Sequence, residues 1–258
     1  MSERGVVFFR NQDLEVDDQK TLGIKLGELS GKPAQSTLHV HPLTEDTSPK
    51  GDQISIITSE RAQAYTRGDT SLLAAQGWHA DITFEPVPSD YAILKVHTSP
   101  DAGGDTLWAS GYEVYSRLSP ALREFLEGKE ALHEANFFKR AAEANAHDLR
   151  TGERGHPDNQ GENLVAVHPV IRVNPVTGWK SVFVNPGFTR RILGVTKDES
   201  DLILGYLFKL ISENHDLQVR LSWSSKLDPG RGDIAIWDNR SNFHTATFVS
   251  IPISHSTD

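Results

Sequence analysis

The 258-residue chain carries 26 basic and 35 acidic side chains, a formal net charge of −9, and no cysteine. The acidic balance argues against general binding to nucleic acid or anionic membrane, while leaving room for a local pocket for an anionic substrate. Without cysteine, disulfides, thiolate metal sites and a cysteine nucleophile are excluded. The opening MSERGVVFFRNQDLEVDDQ has too short an apolar run for a signal peptide, and no stretch approaches the ~18 apolar residues of a membrane helix. The expectation is a soluble, cytoplasmic protein of one domain spanning 1–258.

In chain order, GVVFFR (5–10) reads as a strand and residues 14–30 as a helix. QISIITS (53–59), DITFE (81–85) and YAILKVH (91–97) read as strands, the last two flanking a proline-containing turn. GGDTLWAS (103–110) is a glycine turn entering a strand, and 111–128 reads as one helix stopped by Gly128. Residues 139–165 are polar and glycine-rich and read as a long surface loop or lid. AVHPVIRV (166–173) and SVFVN (181–185) are expected strands, and DESDLILGYLFKLISENH (198–215) a helix with Leu202, Tyr206, Leu207, Leu210 and Ile211 on its apolar face. LQVRLSW (217–223), DIAIWD (233–238) and HTATFV (244–249) close the chain as strands. Many short strands with about three helices predict a β-rich core, sandwich or jelly roll, under helical cover.

Chemistry concentrates in GWHADITFE. On a strand His79 and Asp81, two residues apart, share a face, which is half of a chelate. His244 would complete two histidines and one carboxylate, a set that suits Fe(II) with open positions; zinc also accepts these residue types. Chance pairs are common in a chain with 11 histidines. His133, His147, His156 and His215 sit in polar surroundings and read as surface residues, and His168 as a packed strand residue. No G-x-S-x-G, Walker loop or G-x-G-x-x-G occurs.

An ordered series then emerges: GVVFFRNQD, LHVHP, WHADITFE, GGDTLWAS, HPVIRVNPVTG, SVFVNPGFTRRI and DIAIWDNRSNFHTAT. Over residues 5–248 this series resembles the taurine dioxygenase family of Fe(II)- and 2-oxoglutarate-dependent oxygenases, and within it the fungal sulfonate dioxygenase branch. The resemblance implies a double-stranded β-helix core of the jelly-roll or cupin kind, α+β overall, incomplete at both termini. It implies His79, Asp81 and His244 as iron ligands, Thr106 as a contact for the 2-oxoglutarate carboxylate, and His41 as a contact for a sulfonate. The implied partners are a small sulfonate and O2, with no nucleic acid or membrane and with homo-oligomerisation left open. The implied reaction hydroxylates the carbon bearing sulfur and releases sulfite and an aldehyde, with succinate and CO2.

The sequence departs from the family pattern in places. Ala75 stands where the family has asparagine and Thr44 where it has tyrosine, which favours a sulfonate other than taurine or a non-sulfonate acid. The family places an arginine about ten residues past the distal histidine, paired with the far carboxylate of 2-oxoglutarate. No arginine or lysine follows His244; His255 falls near that position. Losing a charge-assisted pair costs about 1.5–3 kcal/mol, so roughly tenfold weaker cosubstrate binding or more is expected. A weakly active or inactive metal-binding homologue is therefore an alternative.

Overall fold

The computed structural model describes residues 1–44, 50–58, 74–144 and 148–247. Four sheets carry the fold, and they do not close into one barrel among the described residues. The first joins β1 (Val6–Gln12), β10 (Gly232–Asp238) and β2 (Tyr91–Val96), with β10 in the centre. The second joins β11 (Asn242–Ala246), β3 (Thr106–Ser110) and β9 (Gln218–Leu221), with β3 in the centre. The third orders β5 (Val165–Pro169), β4 (Glu130–Glu134) and β8 (Thr189–Ile192), and β6 (Ile171–Val173) pairs with β7 (Lys180–Val182). All the pairings are antiparallel.

The first two sheets face each other across Trp108, Trp223 and Trp237 with Leu221 and Ala235, flanked by Val6, Phe8, Ala92, Leu94 and Val96. Every residue of β10 is buried, which explains why its IAIW run between Asp233 and Asp238 has no polar face. The other side of the β3 sheet packs on α2 (Gly111–Ser116), α3 (Pro120–Leu126) and α5 (Lys197–Ser212) through Ala109, Val114, Leu126, Leu207 and Phe243. Ahead of β2, α1 (Val16–Leu29) begins with Asp17 and Asp18 in its first turn, where acids suit the helix dipole.

Several expected elements differ. The 53–59 stretch is irregular over 53–58, because its β-branched residues find no ladder partner there; residue 59 lies outside the described residues. DITFE is a turn, not a strand: Ile82 adopts φ +49°, outside the extended region that a regular strand occupies. The 111–128 stretch is two helices: Ser119 caps a new start with Pro120 in its first turn. Within 139–165, α4 (Asn136–Ala144) covers the first part, and the later part contains the fully buried Arg154. The 166–173 stretch is split into β5 and β6 at Val170, and 244–249 is described as a strand only to Ala246, beginning earlier at Asn242. Strands β4 and β8 and helix α4 had no clear pattern in the sequence.

On α5 the buried face is Ser200, Leu204, Leu207 and Ile211, while Leu202 is 76% exposed and Tyr206 is also exposed. Thr196 and Glu199 form a capping box at its start. His133 and His156 are buried rather than on the surface. His133 bonds Thr83 and Thr189, and His168 is a packed residue whose ring meets the Glu85 carbonyl at 2.9 Å. His215 is exposed, and His147 and His255 lie outside the described residues.

Candidate metal centre

His244 sits mid-way along β11, opposite Trp108 of β3, so it points with Trp108 toward the space between the two large sheets. His79 meets it in an isolated antiparallel bridge, with N–H···O bonds of 3.0 and 2.8 Å in the two directions. His79 and His244, 165 positions apart in the chain, are thus joined by backbone pairing, not by side chains alone. Asp81 Oδ1 lies 3.4 Å from His79 Nε2 and 3.6 Å from His244 Nε2. The three side chains offer ligand atoms all within 4.8 Å of one another.

His79 and Asp81 are held from behind, whereas His244 Nδ1 is buried without a hydrogen-bond partner among the described residues. His79 Nδ1 lies 2.7 Å from the Gly77 carbonyl, so this nitrogen carries the proton and Nε2 keeps its lone pair for the centre. Asn239 grips the Asp81 peptide twice: its Oδ1 accepts from Asp81 N at 2.8 Å, and its Nδ2 donates to Asp81 O at 2.9 Å. That grip sits beside Ile82, whose left-handed backbone costs about 1–3 kcal/mol in a β-branched residue. The Glu85 N–H closes the turn on the Ile82 carbonyl at 2.9 Å. Gly187 backs His79: a Cβ there would stand 2.8 Å from His79 Cβ.

Asn239 is itself fixed by the crossing from β10 to β11. Asp238 accepts from Arg240 Nε and NH2 at 2.8 and 2.7 Å, a buried two-point pair. Asn239 N–H bonds the Asp90 carbonyl at 2.9 Å, and the Arg240 guanidinium lies over the Tyr91 ring at 4.7 Å. No pattern in the sequence marks Asn239 as part of the site. Its role depends on a partner 158 positions away, which leaves no local signal.

The electrostatics suit a cation. Desolvation opposes ionising Asp81, yet the His244 and His79 imidazoles hold its carboxyl far below the usual range. Desolvation lowers His244 to about 4, leaving it neutral with a free lone pair. His79 is raised: its pocket desolvates it, but the Asp81 carboxylate outweighs that and favours a shared proton. A metal ion would replace that proton. Ligand atoms bound at about 2.1 Å at right angles lie about 3.0 Å apart, so the two Asp81–histidine spacings of 3.4 and 3.6 Å need only a small contraction. The donor set fits Fe(II), and the same two-histidine, one-carboxylate set is also accepted by zinc.

The remaining expected residues lie nearby. His41 is half-buried, 4.8 Å edge-on from the Phe138 ring, and within electrostatic reach of Asp81. Desolvation and then His39 lower it to about 4, so it is neutral, not cationic. Leu43 N–H donates to its Nδ1 at 3.2 Å, which puts the ring proton on Nε2. Thr106 is buried at the start of β3, and its Oγ1 accepts from the Trp223 indole at 3.0 Å.

The description "Taurine catabolism dioxygenase TauD, TfdA family" matches residues 1–252. The chain belongs to the TauD/TfdA family. It is 46% identical over 265 residues to the alpha-ketoglutarate-dependent dioxygenase btcD of Neocamarosporium betae, covering 96% of this chain and 74% of that protein. It is 32% identical to an alpha-ketoglutarate-dependent sulfonate dioxygenase of Saccharomyces cerevisiae, covering 95% of this chain and 54% of that protein. A crystal structure of a taurine dioxygenase from Burkholderia xenovorans superposes with a TM-score of 0.62 at 27% identity, covering 94% of this chain and 69% of that one. As a TauD/TfdA member, the chain is a 2-oxoglutarate-dependent dioxygenase (2-oxoglutarate being alpha-ketoglutarate) on a jelly-roll fold. No described helix is long and apolar enough to cross a membrane.

Proposed function

We propose that this TauD/TfdA dioxygenase hydroxylates an alkylsulfonate at the carbon bearing sulfur, with 2-oxoglutarate and O2 as co-reactants. The hydroxylated product then expels sulfite and leaves an aldehyde, while 2-oxoglutarate becomes succinate and CO2. The observation that carries this reading is the His79–Asp81–His244 cluster with the His41 ring inside its electrostatic reach. The similarity to the yeast sulfonate dioxygenase supports the substrate class.

In this reading His79, Asp81 and His244 hold Fe(II), which when bound supplies the redox chemistry that couples O2 to oxidation of the oxo acid and the substrate. The protein's own groups do the rest. Gly77 and Asn239 keep the ligands aimed. The indole of Trp237, 4.7 Å from the His244 ring, and the Phe188 ring, 5.9 Å from His79, keep two sides of the centre apolar and short of water. His41 presents a neutral Nε2–H, a donor suited to an oxygen of the sulfonate.

Sulfite and succinate formation from a panel of alkylsulfonates, with Fe(II) and ascorbate, tests the reading. Both products in equal amounts are expected. Succinate without sulfite would move the assignment to a hydroxylase of non-sulfonate acids. That second reading is favoured by Ala75 and Thr44, where the sequence departs from the family pattern.

A further inference from the structure

Two residues past Asp81, Thr83 is fully buried, and its hydroxyl lies at the centre of a polar cluster drawn from β4 and from the chain between β7 and β8. Asn185 Nδ2 donates to Thr83 Oγ1 at 3.1 Å, and His133 Nδ1 lies 2.9 Å from the same oxygen. The Asn185 amide is fixed the right way round, because its Oδ1 accepts from the Phe188 N–H at 2.9 Å. An amide nitrogen only donates, so the Thr83 hydrogen is left for His133 Nδ1 to accept. Burial suits His133 to that part: it lowers the ring to about 3, which leaves it neutral at pH 7 with an acceptor nitrogen. His133 and Asn185 are themselves fully buried, so no water competes for the hydroxyl.

Ile82 stands between Asp81 and Thr83 with a left-handed backbone, and such a conformation persists only where the surroundings over-determine it. On one side Asn239 holds the Asp81 peptide. On the other side the Thr83 hydroxyl is held, and next along the Glu85 carbonyl accepts from His168 Nε2 at 2.9 Å. With the second hold gone, Ile82 is free to relax toward extended backbone, and rotation there swings the Asp81 carboxylate off the two histidines. The chain that supplies Asn185 also backs His79, since the Gly187 N–H donates to the Trp78 carbonyl at 3.0 Å.

We propose that Thr83 is a positioning residue for Asp81, its hydroxyl locked by Asn185 and His133 so that the left-handed turn keeps the carboxylate aimed at the histidine pair. This rests on the reading of His79, Asp81 and His244 as the iron site.

The test titrates Co(II) alone into the full chain and follows its visible absorption, at a temperature where circular dichroism shows each variant folded. Thr83→Val keeps the shape and removes the hydroxyl, and should weaken Co(II) roughly tenfold to a hundredfold, the range for lost supports of metal ligands. His133→Phe removes the acceptor and should weaken it by a similar factor, and the double variant should be no weaker than the weaker-binding single, because both act through one hydroxyl. Thr83→Ser keeps the hydroxyl and should bind within about threefold of the unaltered chain. Leu204→Ala is the control for stability alone: Leu204 is buried in the other core cluster and touches none of these groups, so Co(II) affinity should stay within about twofold. Should Thr83→Val fail to fold, Thr83→Ala is read in its place. Unchanged affinity on loss of the hydroxyl, additive losses in the double variant, or an equal loss in Leu204→Ala would overturn the proposal while leaving the iron site standing. Failure of the unaltered chain to bind Co(II) would overturn the iron reading itself and the proposal with it.

Discussion

Asn239 shows how a residue that touches no ligand atom can govern a metal centre. It supplies both hydrogen bonds that hold the Asp81 peptide, next to the strained Ile82. Asn239→Ala is expected to weaken Co(II) binding, followed by its visible absorption, roughly tenfold to a hundredfold, in the range for lost supports of metal ligands. Asn239→Asp keeps the acceptor and loses the donor, so it should fall between. Metal binding unchanged in Asn239→Ala would remove the residue from the site. Gly187 acts by absence. In Gly187→Ala the new methyl would stand 2.8 Å from His79 Cβ, which cannot swing away as a flexible side-chain end could. Overpacking of this kind costs about 1–3 kcal/mol, so Co(II) affinity should drop at least about tenfold while the far-ultraviolet circular dichroism stays unchanged.

At the scale of elements, α5 and the 148–164 segment make opposite points. Leu202 looks like a core residue but is 76% exposed, whereas Leu204 is 4% exposed. Leu202→Glu should therefore alter stability by less than about 0.5 kcal/mol, and Leu204→Ala should cost about 2–5 kcal/mol, both read from urea unfolding. The polar segment that looks like a free loop is pinned by Arg154, whose Nε and NH2 donate to Glu85 at 2.5 and 3.0 Å. Two more of its bonds reach the Arg150 and Gly161 carbonyls, so the guanidinium folds the segment around itself. His39, just before His41, also reaches Glu85, at 3.2 Å. Removing one partner of a buried pair strands the other charge and costs about 3–5 kcal/mol. Arg154→Met should thus lose that much stability in urea unfolding, and Glu85→Gln should do likewise; a loss below about 1 kcal/mol would show that the segment is not anchored there. If the segment moves as a lid, as its length first suggested, the moving part must lie outside this anchored turn.

For the molecule as a whole, buried histidines set the response to acid. Burial lowers His133 from the ordinary 6.5 to about 3, with the nearby His168 adding to the effect. Because the folded value lies below the unfolded one, this contribution is fully present above about 6.5 and is lost as pH falls below it. Between pH 6.5 and pH 5 His133 alone should remove about 2 kcal/mol. His168, His41 and His244 are lowered as well and act in the same direction. His79 is raised and opposes them in the metal-free chain. Below about pH 4 the buried Asp233 adds a second loss: despite desolvation, bonds from Asn11, Ser224 and Arg10 lower it to about 2. Thermal unfolding of the metal-free protein should show melting temperature falling from pH 7 to 5, with a shallower fall in His133→Gln. A flat profile in the unaltered chain would contradict the burial of these rings.

The sequence by itself determined the family, the ligand types and most strands of the two large sheets. Short apolar strands such as GVVFFR, YAILKVH and DIAIWD carry their pattern locally, and His79, Asp81, Thr106 and His244 stand within ordered motifs. Tertiary structure decided what depends on partners distant in the chain. It turned DITFE into a turn, because Asn239 and the Glu85 N–H hold Ile82 in a left-handed conformation that local propensity disfavours. It buried His133 and His156 in surroundings that are polar in sequence but closed in space. It placed Trp223 against Thr106, a hydrogen bond between residues 117 positions apart. Local pattern records which face of a strand is apolar. It holds no record of which hydroxyl, carboxylate or indole will meet it once the sheets pack, because those pairings are fixed by register and by the crossing of β10 to β11.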